Sequence, residues 1–171
     1  AQFVSVVIVN DASCPIDLRK GGLLGVLLNL PYRFVVPLPI RENELLDFAP
    51  EDWQLLDGNG LETYDLPANR VADVIANKAR HTGLSANDCI CLVTAHCYEE
   101  SILLPGDRLL RRTAESQGVN VHGVLWIVDE LYAGDFCEQA LLIDALTIWH
   151  EDSSVRLPSP EIETRLDRLK S

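Results

Sequence analysis

The stretch Phe3-Val4-Ser5-Val6-Val7-Ile8-Val9-Asn10-Asp11-Ala12-Ser13-Cys14-Pro15 decides the fold. Phe3–Val9 is apolar except for Ser5 and rich in β-branched side chains, which predicts a buried strand. The run gives way to Asn10–Ser13, where Ser13 is placed to cap a helix and Pro15 suits its first turn. A carboxylate at this strand-to-helix junction, Asp11, is positioned to face a cleft.

Working outward, the same alternation recurs. The segment to about Leu30 reads as helix with a break at Gly21–Gly22. Arg33–Val36 reads as a second strand, and Pro39 starts a helix carrying Ile40, Leu45 and Leu46. Trp53–Leu55 and Leu61–Tyr64 flank the turn signal Asp57-Gly58-Asn59-Gly60, which predicts a small hairpin. Pro67 opens a helix to His81, stopped by Gly83, and Ser85 caps the next, Ala86–His96. Ser101–Leu104 reads as a short buried strand. Asp107–Gln117 reads as a helix ended by Gly118, and Val119–Val121 as a strand. Helices are expected over 123–133, 135–149 and 160–170. Strands alternating with helices imply an α/β fold, a mostly parallel sheet covered on both faces. Ligands of such sheets bind at the carboxyl ends of strands, near a topological switch point.

Composition bounds the class. The 171 residues suffice for one domain with a full core, and 47% apolar against 23% charged residues is a globular balance. The longest uncharged, mostly apolar run, Gly21–Pro31, is too short to span a bilayer, so no membrane partner is expected. No basic region precedes an apolar one at the start, which predicts no secretory signal. Methionine is absent, so Ala1 reads as a processed residue. The cysteine count is odd, at five, and no C-x-x-C occurs; reduced thiols and a cytoplasmic setting are expected. The formal charge of −12 has the wrong sign for phosphate contacts, although the acidity is concentrated after Gly118. The four histidines are not spaced as ligand pairs, and Gly21–Gly22 lacks the ending of a phosphate loop.

Four carboxylates fall where strands end or helices begin. Asp11 follows the first strand, with helix capping as its structural alternative. Glu44 lies in Ile40-Arg41-Glu42-Asn43-Glu44-Leu45, and either Glu42 or Glu44 borders the core. Asp88 occupies the third position of the helix capped by Ser85, where an acid also suits the helix dipole. Asp107 follows Ile102-Leu103-Leu104-Pro105-Gly106 and is equally a candidate N-cap. If the sheet gathers these side chains, they suit a hard cation such as Mg²⁺ or Mn²⁺, which prefers oxygen ligands. Without a metal they repel one another, and raised pKa values become the signature of the site.

The order of these residues resembles the PIN-domain family. Ile8–Ser13 is similar to its opening strand and first acid. Ile40–Leu45 is similar to its second motif, a hydrophobic residue followed by a Glu–Leu pair, with Glu44 the better match and Glu42 the reserve. Leu84–Asp88, with Thr94–Ala95 closing the same helix, resembles the third motif, and Leu103–Arg108 the fourth. Ala114, Gly118–Val119 and Val121–Gly123 continue the family's helix–strand–helix ending. The resemblance implies a three-layer α/β/α domain over 1–131, and a helical extension over 132–171 packed on it. It further implies a metal-dependent ribonuclease of the nucleic-acid-binding, toxin-like branch. Asp11, Glu44, Asp88 and Asp107 would bind Mg²⁺ or Mn²⁺, and a metal-bound water would attack an RNA phosphodiester. An antitoxin or other protein partner is implied as well. Pro105 departs from the pattern, which commonly has Ser or Thr two residues before the fourth acid.

Ser13, Arg108, Arg111 and Arg112 are the candidate nucleic-acid contacts, with Arg108 and Arg112 as i,i+4 neighbours in one stripe. A solvated face pairing with acids such as Glu115 is the alternative for the arginines. Val124, Ile127, Val128 and Leu131 have helical spacing and read as core or dimer packing, so a homodimer through the Trp126 helix or the tail is an expectation. Two other functions fit the same residues. One is a non-catalytic nucleic-acid- or protein-binding module, suggested by the acidic surface and Pro105. The other is a metal-dependent phosphatase.

Overall fold

The computed structural model describes residues 5–171. Five strands form one sheet: β1 (Val7–Asn10), β2 (Arg33–Pro37), β3 (Glu62–Tyr64), β4 (Ser101–Leu104) and β5 (Asn120–Val121). Their spatial order is β3-β2-β1-β4-β5, and every pairing is parallel. All four residues of β1 are buried, as are Phe34–Pro37 of β2. Successive side chains of a strand point to opposite faces, so continuous burial means that helices cover both. This is the three-layer α/β/α arrangement expected. Phe3 and Val4 of the expected first strand lie outside the described residues.

The chain leaves β1 into α1 (Ser13–Lys20) and the short α2 (Leu24–Leu27), and Gly22, at φ 77°, makes the break between them. Ser13 is the first helical residue and does not cap α1; Ala12 holds the cap position with no side-chain bond. The helix after β2, α3 (Leu38–Asn43), ends before Leu45, which turns into the core, while Leu46 is 73% exposed.

The hairpin expected around Asp57–Gly60 is absent. Pro50–Gly58 is a helix, α4, with Pro50 in its first turn and the Asp52 carboxylate accepting a hydrogen bond from Ala49 N. The Asp57–Gly60 turn ends this helix, with Gly60 at φ 107° and Leu61 N donating to Leu56 O. The strand after it, β3, pairs in parallel with β2 instead of folding back. After Pro67 a single 3₁₀ turn (Ala68–Arg70) leads into α5 (Val71–Arg80).

The remaining helices are α6 (Ala86–His96), α7 (Arg108–Ser116), α8 (Val124–Ala133), α9 (Gln139–Glu151) and α10 (Ser159–Lys170). The apolar stripe of α8 is buried in the core. Trp149 of α9 docks on α1, its Nε1 donating to Asp17 O at 2.8 Å, and α10 packs on α9. The order of strand addition reverses between β1 and β4: β2 and β3 extend to one side, β5 to the other. The crevice at the carboxyl ends of β1 and β4 is therefore the topological switch point.

Candidate metal centre

Asp11 follows β1 directly, at that crevice. Its backbone N donates to Leu104 O across the β1–β4 seam. Its carboxylate is buried, with Oδ1 accepting from Ala12 N at 2.8 Å and Oδ2 from Gly106 N at 2.9 Å. Burial pushes its pKa from the ordinary 3.8 to about 6, and the charges of Glu44 and Asp88 add to the rise, while the two N–H bonds oppose it. Gly106 belongs to the loop after β4, and a Cβ there would lie 2.6 Å from Asp11 Oδ2. Only glycine lets this loop close on the carboxylate.

Asp88 stands in the first turn of α6 in a reciprocal cap with Ser85: Asp88 N donates to Ser85 Oγ, and Ser85 N to Asp88 Oδ2, each at 3.0 Å. Asp107 is the N-cap of α7, its Oδ1 accepting from Leu110 N at 2.7 Å. Glu44 follows α3, and its Oε2 accepts from Asn87 Nδ2 at 3.0 Å. These four acids line a single open cavity of about 360 Å³, together with Ser13, Asp17, Lys20, Gly106 and Ser154 among others. Glu42 and Glu44 are both exposed, so neither borders the core, and of the two it is Glu44 that lines the cavity.

Within this lining, Lys20 is the one cation against the five carboxylates Asp11, Asp17, Glu44, Asp88 and Asp107. An all-oxygen, acidic donor set suits a hard divalent cation, whose charge would relieve the repulsion. Among the described residues, however, no group of three or more His, Cys, Asp or Glu side chains stands in ready metal-holding geometry. Asp88, Asp107 and Glu44 each accept one hydrogen bond from a backbone or amide donor, which leaves acceptor capacity on every carboxylate.

A second cavity, of about 530 Å³, adjoins the first and shares Ser13, Asp17, Gly106 and Asp107 with it. Arg108 and Arg111 line it; Arg112 is exposed and lines neither cavity. Asp17 and Arg156 are among the lining residues that escaped the sequence reading. Asp17 borders both cavities, and burial pushes its pKa to about 6, with Asp152 adding to the rise and Lys20 opposing it. Its signal was present: Ser13, Asp17 and Lys20 follow i, i+4, i+7 spacing and share one face of α1. Arg156 lies in the α9–α10 loop, and no sequence pattern links it to β4 or α7.

The PIN-domain family profile matches residues 7–171. The chain belongs to the PIN-domain family. No curated protein matches it. PIN domains have a nuclease-type fold and typically use divalent metals. In this PIN domain, no helix among the described residues is long and apolar enough to cross a membrane.

Proposed function

We propose that this PIN domain is a metal-dependent endoribonuclease, and that Asp11, Glu44, Asp88 and Asp107 hold one or two Mg²⁺ or Mn²⁺ ions. The observation that carries the reading is the convergence on one cavity of four acids, brought from the ends of β1, α3 and β4 and from the start of α6. When bound, such a metal supplies Lewis-acid stabilisation of phosphoryl charge and an acidified water. The chain's own residues do the rest. Asp11, held by two backbone N–H groups, is the fixed carboxylate at the floor. Asp88 and Asp107 are oriented by the helix starts they cap. The Ser13 hydroxyl lines both cavities and is placed to hydrogen-bond a phosphate oxygen. The toxin role with an antitoxin partner belongs to the same proposal on the family resemblance alone, a homodimer on the apolar spacing of the Trp126 helix and the tail, and a cytoplasmic setting on the cysteine usage.

The test is cleavage of single-stranded RNA in Mn²⁺ by wild type and Asp11→Asn, with an EDTA control. Cleavage that disappears in the variant and in EDTA is expected. Equal cleavage by both proteins would mark a contaminant, and absence of cleavage by wild type would overturn the proposal. One observation favours a second reading, a non-catalytic binding module on the same fold: Asp88 and Asp107 are already satisfied as helix caps. An intact site that binds RNA without cutting it would support that reading.

A further inference from the structure

Arg156 is held outward by its neighbours. Val155 is buried and Leu157 half-buried against the core, so in this irregular segment the side chain between them is left exposed and lines the second cavity. The loop that carries it is tied down at its start. Asp152 Oδ1 accepts hydrogen bonds from Ser154 N and Ser154 Oγ, Val155 N donates to Asp152 O, and Lys20 Nζ of α1 donates to Ser154 Oγ at 2.9 Å. Ser154 lines the acid cavity and Arg156 the adjoining one, so this short loop spans the boundary between them.

The charges along the two cavities are sorted. Asp11, Glu44 and Asp88 line only the first; Asp17 and Asp107 stand at the junction; Arg108, Arg111 and Arg156 line only the second. Among the described residues, Arg19, Arg33, Arg41, Arg70, Arg165 and Arg168 form ion pairs, whereas Arg108, Arg111 and Arg156 form none, as is also true of Arg80 and Arg112, which line neither cavity. Gly123 and Val124, at the start of α8, line the same cavity and add the partial positive charge of a helix N-terminus.

We infer that Arg108, Arg111 and Arg156 form a binding subsite for the phosphodiester backbone of a single RNA strand, beside the acid cavity, and that the α9–α10 loop completes it. Guanidinium groups are suited to phosphate oxygens, which they bind through two parallel N–H bonds. A backbone threaded through this subsite would carry its next phosphate to the junction at Asp17 and Asp107. The net charge of −12 then acts as a filter, repelling polyanions everywhere except along this track. The inference rests on the nuclease reading only for what the acid cavity does to the bound strand.

The test uses the full chain in EDTA, with a fluorescein-labelled oligouridylate, and reads affinity against salt concentration. Arg156→Ala is expected to weaken binding about fivefold or more, and to flatten the slope of log K against log salt by about 0.7, the value for one lost phosphate contact on a single strand. Arg156→Lys should restore most of the slope, and Arg80→Ala, outside both cavities, should change neither quantity. Equal losses in Arg156→Ala and Arg80→Ala would overturn the inference. So would unchanged binding in Arg156→Ala, or no binding of oligouridylate by wild type. RNA held through Arg156 but never cut in Mn²⁺ would sink the nuclease reading and leave this one standing.

Discussion

At the scale of single residues, two positions separate electrostatics from packing. Among the described residues, none donates a hydrogen bond to the Asp17 carboxylate, and burial holds its folded-state pKa at about 6, above the ordinary 3.8. The native state thus binds a proton more tightly than the unfolded chain, so Asp17 supports stability below pH 4 and loses that support as pH rises to 6. Asp17→Asn should raise metal-free stability at pH 7 by about 1–2 kcal/mol, a value discounted for partial solvent access. The gain should vanish in denaturant titrations below pH 4. Gly106→Ala should act in the opposite sense. A Cβ 2.6 Å from Asp11 Oδ2 must push the loop away and break the bond from Gly106 N. The expected loss is about 1.5–3 kcal/mol by the same titrations, with weakened Mn²⁺ binding. Unaltered stability would mean that the loop yields without harm.

At the scale of elements, two acids of this site, Asp88 and Asp107, are also helix caps, and the two roles can be separated at Asp107. Asp107→Asn keeps an N-cap oxygen for Leu110 N but removes the charge, whereas Asp107→Ala removes both. Only the alanine variant should lose stability, by about 1 kcal/mol on thermal or urea unfolding, while both should lose RNA cleavage. The elements also show where sequence reading succeeded. Strand β1, the Ser85 cap and the strand-to-helix junction at Asp107 were legible because each is a local signal: β-branched residues in a row, a serine three residues before an acid, a glycine before a cap. The hairpin failed because Asp57–Gly60 signals a chain reversal without saying what precedes it. Pro50 and the acids of the first turn of α4 were the competing evidence for a helix. Asp17 had a periodic signal on α1, but Arg156 had none, since its loop reaches the site through tertiary contacts such as the Lys20–Ser154 bond and the docking of α9 on α1.

At the scale of the whole molecule, the fold places negative charge where it is least comfortable. The switch point between β1 and β4 gathers carboxylates, and there burial, with repulsion from Glu44 and Asp88, holds Asp11 above its ordinary pKa. A divalent cation that binds only the native state would stabilise it by about 2.7 kcal/mol at a hundredfold excess over its Kd. Because the metal competes with the proton on Asp11, its affinity should rise as pH passes upward through 6. The most direct test of the carboxylate site is a calorimetric titration of Mn²⁺ into the metal-free protein above pH 7, with Asp88→Asn alongside. That variant keeps an oxygen for Ser85 N, so the start of α6 is preserved while one ligand charge is removed. Saturable binding by wild type, weakened about tenfold or more in Asp88→Asn, is the predicted result. Equal binding by both proteins, or none by wild type, would contradict the account.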